Sequence, residues 1–374
     1  MQEKLKSSSE ITNFKFISIS CGVVGGMAGM IIMLPLFLAA IGDNGPYFIL
    51  SCNTLLIILM IWPARFYRIY KGIITSKMRE YDKFYKIIIM AFGNFLNNLI
   101  VTPASHLKNT PGALQALLQQ FFIPFTVIIS KLVLKKQYFK IQYLGALITF
   151  IGCLLSIGPS LLKISDDDFK IIWPIIYIIG LVPGVAASII EESIFQDFPE
   201  MDYIYLLSWD CFIQFISSIV FFWSDIIPGY GSSESFSEFF TKFGNSLICF
   251  LSPWNSDSDK CNFCSFIAII NALSYVVFFL SSSMMFRYAS ATSNAIISAF
   301  APIISICFFI IFKSLNTWAG GQDYSTIDII FYFISVIIIS VGVVIYRKGE
   351  MAQIKSELEQ IDFNYLSEPH LTQN

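Results

Sequence analysis

Ten stretches of about 20 apolar residues, each long enough for a helix to cross a hydrocarbon core, take up most of this chain of 374 residues. They fall at 15–41, 45–63, 84–104, 111–131, 141–161, 171–190, 203–224, 264–286, 292–312 and 327–346. Lipid offers no partner to backbone N–H and C=O groups, so an isolated apolar run crosses as an α-helix. The expected fold class is an all-α membrane protein with ten transmembrane helices. Composition agrees: 13% of the residues are charged, where a soluble domain carries about 25%. Gly22, Gly25, Gly26, Gly29 and Pro35 interrupt the first stretch and Pro183 the sixth, which blurs their ends.

Ten crossings bring both termini to one side. If that side is cytoplasmic, 18 of the 24 Lys and Arg residues lie on it, the asymmetry that the positive-inside rule describes. The residues before the first stretch are polar and no secretory cleavage pattern follows, so a cleaved leader is not expected. The net charge of -2 gives no reason to expect a nucleic-acid partner.

The fourth stretch, TPGALQALLQQFFIPFTVIISK from Thr110 to Lys131, is apolar enough for a bilayer yet carries three glutamines and a central proline. Gln115 and Gln119 stand one helical turn apart on one face, and Gln120 lies beside it. Pro124 removes a backbone donor and bends the helix. A similar stretch, ATSNAIISAFAPIISICFFIIFK, returns 178 positions later from Ala291 to Lys313. Pro302 matches Pro124, Ser293 matches Gln115, and Ser298 matches Gln120. A polar, proline-bent helix in each half is the mark of a carrier built from internal repeats, with its site where the halves meet. Each half has five crossings, an odd number, so the fold is expected to be two inverted five-helix repeats. Pro124 and Pro302 are expected at equivalent depths, flanking one central cavity. Taken singly, each Gln or Pro serves as well to hold helix against helix; the repetition is what points to function.

The expected organisation is a cytoplasmic N-terminal segment 1–14, a first half 15–161, a second half 162–346 containing a non-cytoplasmic loop 225–263, and a cytoplasmic tail 347–374. In the first stretch, Gly22, Gly26 and Met30 recur every fourth position with Gly25 and Gly29 on the next row, a spacing that lets another helix approach closely. The basic segment 64–83 (Arg65, Arg68, Lys71, Lys77, Arg79, Lys83) reads as an anchor beside anionic lipid. Asn94, Asn97 and Asn98 share one face of the third helix, where amides line a cavity or join helices equally well.

Glu191 and Glu192 end the sixth stretch at the membrane boundary, where Glu191 reads as an ordinary interfacial charge. Asp210 lies about two turns into the seventh, among apolar neighbours, with Gln214 one turn later. Ionisable groups at membrane depth are costly and functional by default, so Glu192 and Asp210 form the candidate proton-coupling pair. In the long loop, Phe236, Phe239, Phe240, Phe243 and Leu247 follow helical spacing, as in a helix lying in the interface or capping a cavity mouth. Cys249, Cys261 and Cys264 lie near its end; with no second Cys pair or His nearby, a disulfide is the better reading than zinc. No phosphate loop and no catalytic triad pattern is present, and the histidines are His106 and His370, so an enzyme is not expected.

Several of these residues carry a family resemblance. Gly112 to Pro124 with Gln115 and Gln120, the run Tyr143-Leu144-Gly145-Ala146, Pro183 with Glu192 and Phe195, Gln214, and the three loop cysteines together resemble the chloroquine-resistance-transporter-like family of parasite and plant membranes, within the drug/metabolite transporter superfamily. The resemblance runs from about residue 85 to 348. It implies a role in transport for Glu192 and two disulfides among four loop cysteines, of which this chain has three. Asp210 and Glu191 depart from the family pattern. Cys249 is expected to bridge Cys264, leaving Cys261 unpaired or paired with another molecule, because cysteines three apart in a helix rarely join.

The resemblance further implies a secondary-active, proton-coupled carrier in an acidic vacuolar or lysosomal membrane. It would move small polar or cationic solutes (amino acids, short peptides, glutathione-like thiols or organic cations) to the cytosol. The expected substrate contacts are Asn97, Gln115, Gln120, Gln214 and Ser298, with protons handled by Glu192 and Asp210. A nucleotide-sugar or other phosphorylated-metabolite carrier of the same superfamily is the alternative, since lysine-rich loops suit phosphate; a non-transporting scaffold or receptor is the third reading. Expected partners are a small solute, protons and the bilayer, with no cofactor, metal or nucleic acid. The chain is expected to be a monomer, with a homodimer as the other possibility.

Overall fold

The computed structural model of the chain describes residues 13–42, 45–107, 109–135, 137–162, 169–251, 259–321 and 325–367. Most of the N-terminal segment 1–14, Lys136, loop residues 252–258 and the end of the tail with His370 lie outside them. The described residues form helices and turns with no strand. The principal helices are α1 (Asn13–Ile41), α2 (Pro46–Tyr70), α3 (Phe84–Ala104), α4 (Gly112–Val133), α5 (Lys140–Leu162), α6 (Phe169–Asp197), α7 (Tyr203–Val220), α8 (Cys264–Tyr288), α9 (Ala291–Ile311) and α10 (Thr326–Ser367). Nine of these, all except α5, are long and apolar enough among the described residues to cross a membrane; α5 contributes a shorter apolar helix over Lys140–Ser156.

Three helices outrun the expected stretches. Pro63 and Pro183 sit inside α2 and α6 without ending them, because neighbouring helices in a bundle re-satisfy the freed carbonyls. α10 continues to Ser367, well past the apolar stretch, through a run rich in strong helix formers such as Glu, Lys and Gln.

The principal helix pairs are α5 with α10, α1 with α8, α3 with α6, and α2 with α7. Exchanging the first five helices for the last five maps α1·α8 onto α6·α3 and returns α5·α10 and α2·α7 to themselves. This is the pairing that a two-fold relation between halves generates. Small residues make the close pairs. A Cβ on Gly26 would lie 2.5 Å from the backbone nitrogen of Phe278 in α8, and Gly22 and Gly29 face Ser281 and Ser274 of the same helix. Gly145 of α5 lies as close to the backbone of Tyr346 in α10.

The two helices of the repeated motif, α4 with Pro124 and α9 with Pro302, are broken. α4 passes through a short tight turn at Gln119–Phe121, and α9 breaks at Ala299 and Phe300. Each break lies just ahead of its proline, whose missing N–H leaves the carbonyl four residues earlier, Gln120 or Ser298, without its helical donor. The breaks meet: Gln120 Nε2 donates to the carbonyl of Ala299 across 3.4 Å. Pro124 and Pro302 are both buried.

The long loop carries the helix Phe236–Leu251. Its Phe239 and Phe243 rings meet Tyr47 and Phe48 at the start of α2, with centroids 5.7 and 5.3 Å apart, while Phe236 and Phe240 stay exposed. One disulfide ties this helix to the head of α8, and it joins Cys249 to Cys261. The expected Cys249–Cys264 bridge is therefore corrected. Cys261 sits in a tight turn at Asp259–Phe263 that brings its Cα within 5.1 Å of that of Cys249. Cys264 is already the first residue of α8, and its free thiol is buried in the core cluster with Ala268 and Cys52.

Candidate functional site

A cavity of about 110 Å³ lies where α1, α3, α4, α6, α8 and α9 converge. These are three helices of the first half and their three counterparts in the second. Each contributes a stripe at helical spacing: Asn94, Asn98, Val101 and Ser105 from α3, Tyr177, Leu181, Gly184, Ser188 and Glu191 from α6, and Tyr275, Phe279, Ser282 and Phe286 from α8. α1 adds Met27, Met30, Ile31 and Leu34; α4 adds Gln115, Gln119 and Phe122; α9 adds Asn294 and Ser298. Glu191 is the one acidic side chain among the described lining residues, and no Lys, Arg or His is among them. The wall is thus amides, hydroxyls, aromatic rings and aliphatic or thioether side chains around a single carboxyl group.

Most of the wall's polar groups are held by the protein. Gln115 Nε2 donates to the carbonyls of Ser105 at 2.7 Å and Thr110 at 2.6 Å, so it locks the end of α3 to the start of α4. Asn97 Nδ2 donates to the Gly180 carbonyl at 2.7 Å, and the Tyr177 hydroxyl donates to Gln119 Oε1 at 2.9 Å. Ser298 Oγ turns back to its own helix at Ala295. Ser283 Oγ lies 2.5 Å from Glu191 Oε1. Among the fully buried polar atoms of the described wall residues, Asn294 Oδ1 and Ser282 Oγ have no partner.

The sequence-predicted residues divide accordingly. Asn97, Gln115 and Ser298 line the cavity. Gln120 is buried in the joint between the two broken helices. Asp210 and Gln214 stand behind the wall: Asn94 Nδ2 donates to Asp210 Oδ1 at 3.0 Å, and Gln214 Nε2 donates to Asp210 Oδ2 at 2.7 Å.

Glu192 faces away from the cavity. Its Oε2 accepts from the N–H of Ala291 at 3.0 Å, at the first turn of α9, and its Oε1 accepts from Gln196. An unfilled donor at a helix N-terminus favours a carboxylate there. Its neighbour Glu191, read from sequence as an interfacial charge, is the glutamate in the wall. Successive residues on a helix point about 100° apart, so two adjacent glutamates cannot share a face. The signal that finds Glu191 is its stripe: Tyr177, Leu181, Gly184, Ser188 and Glu191 alternate spacings of four and three.

Residues 15–346 match the family described as CRT-like, chloroquine-resistance transporter-like. The chain belongs to this family. Among CRT-like proteins it is similar to Crt homolog 1 of Dictyostelium discoideum, with 39% identity over 114 residues, 30% of this chain and 24% of that protein. Crt homolog 3 of the same organism is 26% identical over 246 residues, 65% of this chain and 50% of that protein. The chloroquine resistance transporter of Plasmodium falciparum is 20% identical over 264 residues, 67% of this chain and 62% of that protein. The matched stretches thus span half or less of the two Dictyostelium relatives and under two-thirds of the Plasmodium protein. A solved crystal structure superposes with TM-score 0.51 at 16% identity, covering 87% of this chain and 96% of the other, a likeness of fold.

Proposed function

We propose that this CRT-like protein is a secondary-active carrier for small polar or cationic solutes, coupled to protons and oriented with both termini in the cytosol. The observation that carries this reading is the central cavity itself. Three helices of each half build it, and Glu191 is the sole carboxylate in its described wall. A carboxylate there attracts an ammonium or guanidinium group, and Tyr275, Phe278 and Phe279 line the same cavity, where aromatic rings favour a cation. Asn294 Oδ1, unpartnered, is placed to accept a hydrogen bond from solute. Amino acids, short peptides and organic cations fit this description, delivered to the cytosol from an acidic vacuolar or lysosomal lumen.

The coupling group is Asp210, one layer behind the wall and joined to it through Asn94. Alternating access would move it between a dry and a wetted environment, so it would take up a proton from one side and release it to the other. Glu191 takes the exit-side role that Glu192 was expected to hold, because it is the member of the pair that reaches the cavity. Glu192 steadies the start of α9 instead.

The nucleotide-sugar reading is weakened by the same wall, which presents no described cation to a phosphate. Uptake into proteoliposomes, with and without an inward pH gradient, tests the proposal. Amino acids, dipeptides, glutathione and nucleotide sugars form the panel. Uptake that ignores the gradient removes proton coupling, and uptake confined to nucleotide sugars replaces the solute class. A correctly inserted protein that moves none of them leaves the scaffold reading.

A further inference from the structure

A second cavity, of about 300 Å³, lies at the end of the bundle that carries the long loop. Three of its walls continue those of the central cavity by one helical turn: Leu38 follows Leu34 on α1, His106 follows Thr102 beyond α3, and Trp173 precedes Tyr177 on α6. The long loop supplies a further wall with Tyr230, Ser232 and Lys242. His106, Trp173, Tyr230, Ser232 and Lys242 are each partly exposed, so a solute has both room and access.

The loop wall is held in place before any ligand arrives. Asp225 accepts from the hydroxyls of Ser232 and Ser233, each at 2.9 Å, and the Tyr230 hydroxyl donates to the Leu99 carbonyl of α3. Lys242 Nζ donates to the Ser232 carbonyl and lies 2.9 Å from Glu238 Oε1. Those contacts engage two of its three N–H groups. The Glu238 side chain is 37% exposed, and an ion pair so open to water is weak, which leaves Lys242 able to take a second acceptor.

The two cavities carry opposite types of ionisable group. Among the described lining residues, the central wall has Glu191 and no Lys, Arg or His, whereas the outer wall has Lys242 and His106 and no Asp or Glu. Asn109, in the outer wall, spends one amide N–H on the Pro103 carbonyl at 3.0 Å and has a second. Leu38, Pro46 and the Trp173 indole add apolar surface to the same space. Donors with a positive charge beside apolar surface suit an organic anion, its carboxylate on Lys242 and its hydrocarbon body against the rest. From Trp173 to Glu191 is 18 residues of α6, about 27 Å at 1.5 Å per residue, too far for one small solute to touch both. The outer cavity is therefore a site of its own.

We propose that this outer cavity binds the carboxylate of a small organic acid or amino acid, with Lys242 as its charged contact and His106 and Asn109 beside it. Its place as a first stop on the path to the central cavity rests on the carrier reading; the binding itself does not.

The test measures binding to the full chain purified in detergent by isothermal titration calorimetry. Three probes share one hydrocarbon body: leucine, leucinamide, which lacks the carboxylate, and 4-methylpentanoate, which lacks the amino group. Inorganic phosphate is the fourth. Leucine and 4-methylpentanoate are expected to bind at least five-fold tighter than leucinamide. Lys242→Gln should abolish that preference and Asn109→Ala should at least halve it. Lys77→Gln, an equal change of charge on the exposed basic segment, should leave it within two-fold. Leucinamide binding as tightly as the two acids, or a preference that survives Lys242→Gln, overturns the site. Binding of leucine without 4-methylpentanoate counts against a site that reads the carboxylate, and phosphate binding as tight as 4-methylpentanoate overturns the organic acid as its ligand. Should Lys242→Gln fail to fold, His106→Gln with Asn109→Ala decides, and an unchanged preference in that double variant counts against the proposal. Proteoliposomes that take up no solute while this preference persists would overturn the carrier reading and leave the site standing.

Discussion

Asn94 and Asp210 meet inside the bundle at 3.0 Å, and one turn further on Asn98 and Gln214 repeat the contact at the same distance. Both pairs are 116 residues apart in sequence, so α3 and α7 run side by side in one direction and in register. The asparagines face the cavity and their partners stand behind them. With Gln214 also donating to Asp210, each oxygen of this fully buried carboxyl group accepts one hydrogen bond. A cavity amide therefore reports directly on the state of a hidden acid.

Asp210→Asn preserves the shape but turns one acceptor oxygen into an amide facing a donor. The loss of one interhelical hydrogen bond costs about 1 kcal/mol, a small drop in melting temperature that leaves the protein folded. Proteoliposome uptake is expected to lose its response to a pH gradient. Full uptake with unchanged pH dependence would make Asp210 a brace between α3 and α7 and nothing more.

Glu191→Gln and Glu192→Gln should part company. Glu191→Gln keeps an acceptor for Ser283 and removes the only charge type in the described cavity wall, so uptake of cationic solutes is expected to fall at least ten-fold with little change in melting temperature. Glu192→Gln removes a carboxylate from the first turn of α9, at a cost of about 0.5–1 kcal/mol, and should lower stability more than substrate affinity. Initial uptake rates over a concentration series separate the two. Wild-type affinity in Glu191→Gln would move the solute contact to another residue.

The α1–α8 contact predicts a contrast between adjacent glycines. Gly26→Ala places a methyl group 2.5 Å from a backbone nitrogen of α8, which cannot yield, whereas Gly25→Ala meets nothing within 4 Å. Overpacking of this kind costs about 1–3 kcal/mol. Thermal unfolding in detergent should show a clear loss for Gly26→Ala and none for Gly25→Ala; equal melting temperatures would mean that the helices do not approach as described.

Peptide mapping of the non-reduced protein should recover a Cys249–Cys261 cross-link with Cys264 carrying the alkylating label. Cys261→Ser is expected to destabilise the loop by about 3 kcal/mol, the chain-entropy value for a closed loop of this size, while Cys264→Ser leaves the bridge intact. A recovered Cys249–Cys264 peptide would reverse the assignment.

Much of this architecture was legible because the physics behind it is local. A hydrocarbon core about 30 Å thick demands a helix of fixed length and leaves the backbone no other partner, so the apolar stretches could be counted. The proline-bent helices showed themselves by repetition, and the glycines of α1 by their four-residue spacing. What the sequence by itself determined is therefore the set of helices, their breaks and which faces are small or polar. Tertiary structure decided which polar face meets the cavity and which meets another helix. Gln115 and Gln120 differ by five residues, yet one lines the wall and the other joins two broken helices. Glu191 and Glu192 are neighbours, yet one faces the cavity and the other the start of α9. Cys261 and Cys264 are three residues apart, and a single tight turn chose between them. Periodicity states that a residue lies on a face; only the packing of other segments states what that face touches, because the partner is supplied by a different element, as with Gln120 and Ala299, 179 positions apart, and Glu192 and Ala291, 99 apart.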